Sequence, residues 1–361
     1  MEPLKNMFSS VWLKSMGERL AQQYRAFNQK AWMAHFATAE WKAAELKQRV
    51  NLVAQAFYAT LPKDYAKAID ILMPVSQQLS YGFTGVVFSE YVALYGRGHW
   101  DKSMEAMAVF TQTSTAEFAI RHFIIDDPQR AMKQMVKWSK SSNHHIRRLS
   151  SEGCRPRLPW GMKLQIFVND PTLCLDILDR LKADPELYVR KSVANHLNDI
   201  AKDNPAVALE FAQAWQGHSP EADWVVRHGL RGLLKSGNAE ALALMGQSPS
   251  RHIAVTHFEI ARRRLRLGET LELTVQLENK GGKHENLRLE YAIDYVKSTG
   301  KTGRKVFQWS IKPLAPGHHQ FKKAQRLVNM TTRVHYAGPH SVHVIVNGVV
   351  LSRASFDLVV L

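Results

Sequence analysis

Two periods of apolar residues divide this chain. Up to about residue 250 the apolar positions recur every three or four residues, as in Leu20, Tyr24, Phe27 and in Ile69, Leu72, Met73, the spacing of one face of an α-helix. Alanine and leucine are frequent there and long β-branched runs are absent. Past residue 252 the period drops to two. Thr270-Leu271-Glu272-Leu273-Thr274-Val275-Gln276-Leu277-Glu278 alternates strictly, and Ser341–Val346 and Phe356–Val359 do so more loosely. Turn residues separate these runs: Asn279–Gly282, Ser298–Gly300, Ala315–Gly317 and Asn347-Gly348. Roughly seven short strands in that space predict an immunoglobulin-like sandwich without the Cys–Trp–Cys pattern of antibody domains.

From about residue 115 the helical part is a degenerate repeat. One helix of each unit carries a hydrophobic-Arg pair: Ile120-Arg121, Ile146-Arg147, Val189-Arg190 and Val226-Arg227. A second helix starts at Asp127-Pro128, Asp170-Pro171, Asn204-Pro205 and Asn238-Ala239, where an Asx cap followed by proline at the first helical position is a helix-start signal. These starts lie 43, 34 and 34 residues apart, the range of HEAT-like helical pairs, with the longer unit holding an insertion at Gly153–Pro159. The expected fold is therefore multidomain, an N-terminal HEAT-like α-solenoid over residues 1–250 followed by a C-terminal immunoglobulin-like β-sandwich over residues 252–361. Residues 1–110 are helical without a legible repeat register.

A formal net charge of +16 stands out in a chain of otherwise ordinary composition and points to a polyanion, most often nucleic acid. The charge is uneven: residues 252–361 hold 17 Lys/Arg against 8 Asp/Glu, densest at Arg262-Arg263-Arg264-Leu265-Arg266. A solvated surface is the bland alternative; the asymmetry favours a nucleic-acid grip. Cys154 and Cys174 are too few for a disulfide framework or a complete zinc site and are expected as buried thiols. No apolar run reaches membrane-spanning length, and Met1–Asn6 lacks the basic-then-apolar form of a secretory signal, so a cytoplasmic protein is expected.

Laying the repeats over one another on their Val/Ile-Arg pairs puts Asp126, Glu152 and Asn195 in register, with Asp199 one turn beyond Asn195 on the same helix face. Glu152 and Asp199 then point into one groove from adjacent repeats, with Arg147, Arg148, Arg190, Lys191, Arg227 and Arg231 lining the same region. An Arg–Asp ladder that only ties repeats together fits the pattern equally well. Trp138, Trp215 and Trp224 read as core, and the pairs His144-His145 and His318-His319 as solvated. Trp160 differs, because it ends an Arg/Pro-rich insertion where core packing does not require it. Walker, zincin and helix-hairpin-helix motifs are absent.

The run Glu152-Gly-Cys-Arg-Pro-Arg-Leu-Pro-Trp160 and the helix Val189-Arg-Lys-Ser-Val-Ala-Asn-His-Leu-Asn-Asp199, followed by a strand-rich domain, resemble the AlkC branch of the AlkC/AlkD superfamily of HEAT-like repeat DNA glycosylases. The Trp–Asp–Trp cleft of the AlkD branch is not found at the same spacing. The resemblance covers essentially the whole chain. It implies hydrolysis of the N-glycosidic bond of cationic N-alkylated bases, 3-methyladenine and 3-methylcytosine in this branch, without base flipping and with no metal or organic cofactor. The implied partner is alkylated double-stranded DNA, bound by a monomer with no membrane. Glu152 and Asp199 are the expected central acids, Glu117 a third, and Trp160 an aromatic face against the cationic nucleotide. Arg148 is expected on a phosphate, with Arg147, Arg155, Arg157, Arg190, Lys191, Arg227, Arg231, Arg262, Arg263 and Arg264 completing the DNA contact. The competing expectation is a non-catalytic HEAT scaffold that binds nucleic acid or a protein; a membrane-surface binder fits the charge but has no basic amphipathic helix to carry it.

Overall fold

The computed structural model describes residues 2–331 and 333–360. Two compact units divide after Gly229. The first opens with helices α1 (Ser10–Gln23), α2 (Gln29–Ala34), α3 (Ala39–Ala43), α4 (Leu46–Thr60), α5 (Tyr65–Gln77), α6 (Val86–Tyr95) and α7 (Trp100–Phe110). The repeat section follows as α8 (Ile120–Asp126), α9 (Pro128–Trp138), α10 (His144–Glu152), α11 (Gln165–Asn169), α12 (Thr172–Leu181), α13 (Leu187–Asp203), α14 (Pro205–Trp215) and α15 (Pro220–Gly229). The second unit begins with α16 (Arg231–Ser236) and α17 (Ala239–Leu244), and its first strand starts at Ile253.

Local chemistry sets these boundaries. The Asp127 and Asn238 side chains cap α9 and α17 by accepting from the Arg130 and Ala241 amides. Asn204 departs from that role. Its amide donates to the Val168 carbonyl at 2.8 Å, so it ties α14 to the end of α11 instead of capping. Every hydrophobic-Arg pair sits on a helix, on α8, α10, α13 and α15, and the apolar member is deeply buried in three of them, Ile120, Val189 and Val226. The central helix, α13, buries Val189, Val193, Leu197 and Ile200 at helical spacing and packs against α10, α14 and α15. An aromatic column of Trp32, Phe57 and Phe88, stacked at 5.3 and 5.5 Å, forms the core of the earlier helices.

Helix α10 ends where its sequence can no longer continue it. Pro156 and Pro159 lack the amide a further turn needs. Gly153 lets the chain leave the helix pressed against α8: a Cβ there would meet Ile120 Cγ2 at 2.5 Å. The backbone of the insertion so released, residues 153–162, is gathered by a buried arginine. Arg121 of α8 donates to the carbonyls of Gly153 (2.9 Å), Arg155 (2.8 Å) and Met162 (2.8 Å).

The second unit forms a sandwich of β1 (Ile253–Ile260), β2 (Arg264–Arg266), β3 (Thr270–Asn279), β4 (Glu285–Val296), β5 (Thr302–Leu314), β6 (Gly317–Arg326), β7 (Gly338–Val346) and β8 (Val349–Val359). A three-stranded sheet runs β1-β3-β6 and a five-stranded sheet β2-β8-β7-β4-β5. Strand β3 alternates as its sequence does, with Leu271, Leu273, Val275 and Leu277 buried. The four turn clusters fall between strands, and Asn347-Gly348 turns β7 into β8 with φ of 47° and 81°, the left-handed pair that a two-residue hairpin favours. Strand β2 exceeds the expected seven. Its three residues pair parallel to β8, too short a run for alternation to reveal.

Candidate functional site

The acids meet where α10, the insertion and α13 converge. Glu152 is the last residue of α10, a poor place for a carboxylate because the helix dipole is negative there. Two arginines compensate. Arg155 Nη1 lies 2.7 Å from Glu152 Oε1, and Arg148 Nη2 lies 3.4 Å from it. Burial alone would raise the Glu152 carboxyl; the fields of Arg148 and Arg155 outweigh it and hold the group below the usual carboxylate range. Arg155 then turns its Nε and Nη2 to Asp199 Oδ2 of α13, both at 2.9 Å. The second Asp199 oxygen accepts from Lys202 at 3.0 Å. Glu117, in the segment between α7 and α8, accepts from Arg148 and from the Thr115 hydroxyl at 2.8 Å. Carboxylate and guanidinium thus alternate as Glu117–Arg148–Glu152–Arg155–Asp199.

Much of this chain of charges faces a cleft of about 260 Å³ lined by Phe83, Thr115, Glu117, Phe118, Glu152, Arg155, Leu158, Pro159 and Trp160. Glu117 and Glu152 form part of its wall, while Asp199 stands behind Arg155 and is 1% exposed. Trp160 forms the rim. It is 59% exposed and has φ of 65°, an unusual backbone for a non-glycine residue. The ring is set edge-on to Phe83 at 6.4 Å, and its carbonyl accepts from Lys47. An exposed indole beside buried carboxylates suits a flat cationic ligand. Burial pulls the Arg121 guanidinium behind the insertion down to about 10, so it stays charged at neutral pH.

Most of the other expected cations lie elsewhere or are already engaged. Arg148, expected on a phosphate, gives its guanidinium to Glu117 and Glu152 instead, and Arg155, expected in the DNA contact, is buried between Glu152 and Asp199. Arg147 pairs with Asp184 at 2.6 Å, and Arg190 donates to the Asp184 and Pro185 carbonyls at 2.6 and 2.8 Å, so both brace the turn before α13. Arg157 is paired with Asp203 at 2.6 Å, and Asp126, in register with Glu152 by sequence, pairs with Arg97. Lys191 and Arg227 are exposed on α13 and α15. Arg231 belongs to the second unit, as do the exposed Arg262, Arg263 and Arg264, of which Arg262 reaches Glu269 at 3.3 Å.

Several lining residues carry no signal at the level of sequence. Phe83 and Thr115 come from segments remote from the repeat signature. Tyr188 lies under the Arg148 guanidinium at 5.1 Å and hydrogen-bonds the Tyr81 hydroxyl at 2.7 Å. His145, expected to be solvated, stacks on Tyr81 at 4.9 Å, and its Nδ1 is buried.

Comparison with known proteins identifies the relatives of this chain. Residues 111–233 match a family model described as DNA alkylation repair enzyme, and residues 254–360 match one described as the C-terminal Ig-like domain of the uncharacterised protein YhaZ. YhaZ of Bacillus subtilis, itself uncharacterised, is 36% identical over 359 residues, covering 99% of this chain and 100% of that protein. The structure of the Pseudomonas fluorescens alkylpurine DNA glycosylase AlkC, bound to DNA containing an abasic site analog, superimposes with a TM-score of 0.95 at 41% identity, covering 99% of this chain and 100% of that one.

Proposed function

This chain belongs to the AlkC branch of the AlkC/AlkD superfamily of HEAT-like repeat alkylbase DNA glycosylases, and from that premise we propose that it hydrolyses the N-glycosidic bond of cationic N-alkylated bases in double-stranded DNA. The observation that carries the proposal is the buried alternation of Glu117, Arg148, Glu152, Arg155 and Asp199 beside an exposed Trp160.

The chemistry follows from the leaving group. An N3-alkylated adenine is already positively charged and departs neutral, so a general acid has little to contribute. As the bond stretches, positive charge moves to the deoxyribose, which becomes oxocarbenium-like. Carboxylates kept ionised beside the anomeric carbon stabilise that charge, and one of them orients the water that attacks it. Glu152 and Glu117 act from the cleft wall. Asp199 adds its field from behind Arg155 and fixes that arginine. Trp160 lies against the cationic nucleotide. Water adds to the anomeric carbon and gives a proton to the carboxylate that orients it, the glycosidic electron pair leaves with the now neutral base, and an abasic site remains.

Selectivity then follows lesion charge and not base shape, since the cleft stabilises departing charge without having to enclose a flipped base. Base release from defined duplexes tests this. N3-methyladenine and N3-methylcytosine are expected to be released readily, 7-methylguanine, cationic too but with a less labile glycosidic bond, more slowly, and the neutral adduct ethenoadenine hardly at all. Efficient release of ethenoadenine would indicate a base-reading pocket and contradict the proposal. The basic second unit, with Arg262, Arg263 and Arg264 exposed, supplies grip on the phosphate backbone and no chemistry.

A further inference from the structure

Directly beneath the acids lies a cluster that base excision does not use. Cys154 belongs to the insertion, between Glu152 and Arg155; Cys174 is on α12; His196 is on α13, one turn before Asp199. All three are 0% exposed. Both sulfurs and a ring nitrogen of His196 lie within 4.8 Å of one another. His196 Nδ1 is 3.0 Å from the Ser151 carbonyl, which fixes a proton on that nitrogen. Nε2 is thereby left as a buried lone pair; among the described residues it makes no hydrogen bond of ordinary geometry, and the Cys154 thiol is its electrostatic partner. An imidazole whose one nitrogen is anchored to a carbonyl and whose other is open is the arrangement metal-binding histidines use. A buried acceptor left unsatisfied costs about 1–3 kcal/mol, and an ion is one recognised reason for such a group to persist.

We propose that Cys154, Cys174 and His196 form a structural zinc site that locks the insertion to α12 and α13. Two cysteines looked too few for such a site in the sequence; the fold adds His196, distant in the chain, as the third donor. Tetrahedral zinc, with bonds of about 2.3 Å to sulfur and 2.0 Å to nitrogen, places its donors roughly 3.5–3.8 Å apart. The three side chains therefore need to close by up to about 1.3 Å, and an oxygen, from a water molecule or from the Ser150 carbonyl 3.1 Å from Cys154 Sγ, completes the four ligands. Binding releases the two thiol protons, and a doubly charged cation with two thiolates is neutral overall, which suits a site with no exposure. Soft thiolate donors favour zinc over magnesium or calcium. Because the ligands flank Glu152 and Asp199 in the chain, the ion fixes the spacing of the two acids without touching the substrate.

The test uses the full chain, purified without a histidine tag under reducing conditions, loaded with zinc and dialysed against metal-free buffer. Elemental analysis is expected to find about one zinc per chain, and zinc to raise the melting temperature and shield both thiols from a thiol reagent. Cobalt in place of zinc is expected to give thiolate-to-cobalt charge-transfer absorption. Cys174→Ser and His196→Gln are expected to lose the bound metal. Should either variant fail to fold, stoichiometry, cobalt spectrum and thiol protection of the unaltered chain decide. A chain that keeps no metal, with thiols equally reactive before and after loading, overturns the proposal. So does a Cys154–Cys174 disulfide that forms on mild oxidation while zinc is never retained. Base release is assayed separately, so loss of the metal site leaves the glycosylase reading to stand or fall by itself.

Discussion

At the scale of single residues, the cleft works because opposite charges hold each other in place. The Glu152 carboxyl lies below its usual value of about 4.3, so the stabilisation its ion pairs give is complete above that pH and is lost as pH falls through the depressed value. The melting temperature of the unaltered protein is expected to exceed that of Glu152→Gln by a constant margin from about pH 8 to pH 5, and the margin to close in more acidic buffer. Thermal melts across that series check it; a margin that closed near neutral pH would mean the carboxyl is not held down. Trp160→Ala behaves differently. The exposed ring supports little structure, so stability is expected to change by no more than about 0.5 kcal/mol, while excision slows and the preference for cationic lesions weakens. Parallel melts and base-release rates on charged and neutral lesions decide that. The proximity of Glu152 and Asp199 was legible because stacked repeats put neighbouring positions on one face; the same register misplaced Asp126, which pairs with Arg97, and gave no signal for Glu117. The role of Arg155 was not legible, since an arginine beside prolines looks the same whether it meets a phosphate or two buried carboxylates.

At the scale of elements, the decisive piece is the insertion at residues 153–162. It carries Arg155 and Trp160 and has no regular secondary structure, so its shape depends on Arg121 and the three carbonyls it binds, together with the ion pairs of Arg155 and Arg157. Hydrogen bonds to a charged group are worth about 1.5–3 kcal/mol each. Arg121→Met is therefore expected to release the insertion, seen as new proteolytic cleavage between residues 153 and 162, with base release falling further than global stability does. An insertion that stays protected in that variant would show that proline and packing suffice. Helix starts at Asp127 and Asn238 and the alternation of β3 were legible because capping and pleating are local physics. Strand β2 was not, because three residues carry no period. Phe83 and Thr115 were also invisible, since they reach the cleft through tertiary folding that no local pattern encodes.

At the scale of the whole molecule, two compact units divide the tasks: the first holds the acids, and the second carries most of the excess positive charge. The change of period near residue 252 marks where strands begin, while the compact units divide after Gly229, so the truncation that respects the fold ends there. Residues 2–229 alone are expected to bind DNA more weakly, with a shallower dependence of affinity on salt, and to release bases more slowly through poorer engagement. Full affinity in the truncated chain, measured by titration across salt concentrations, would assign the grip to the helices. Stabilisation of charge on the sugar by an ionised carboxylate in the cleft is tested by single-turnover release of N3-methyladenine from a duplex by the unaltered protein and by Glu152→Gln. The substitution keeps shape and removes charge. With folding verified by thermal melt at the assay temperature, the rate is predicted to fall roughly 10²-fold while DNA affinity holds or rises. A variant that melts earlier yet releases the base at the full rate per folded molecule would show that Glu152 only braces the repeats, and would contradict the account.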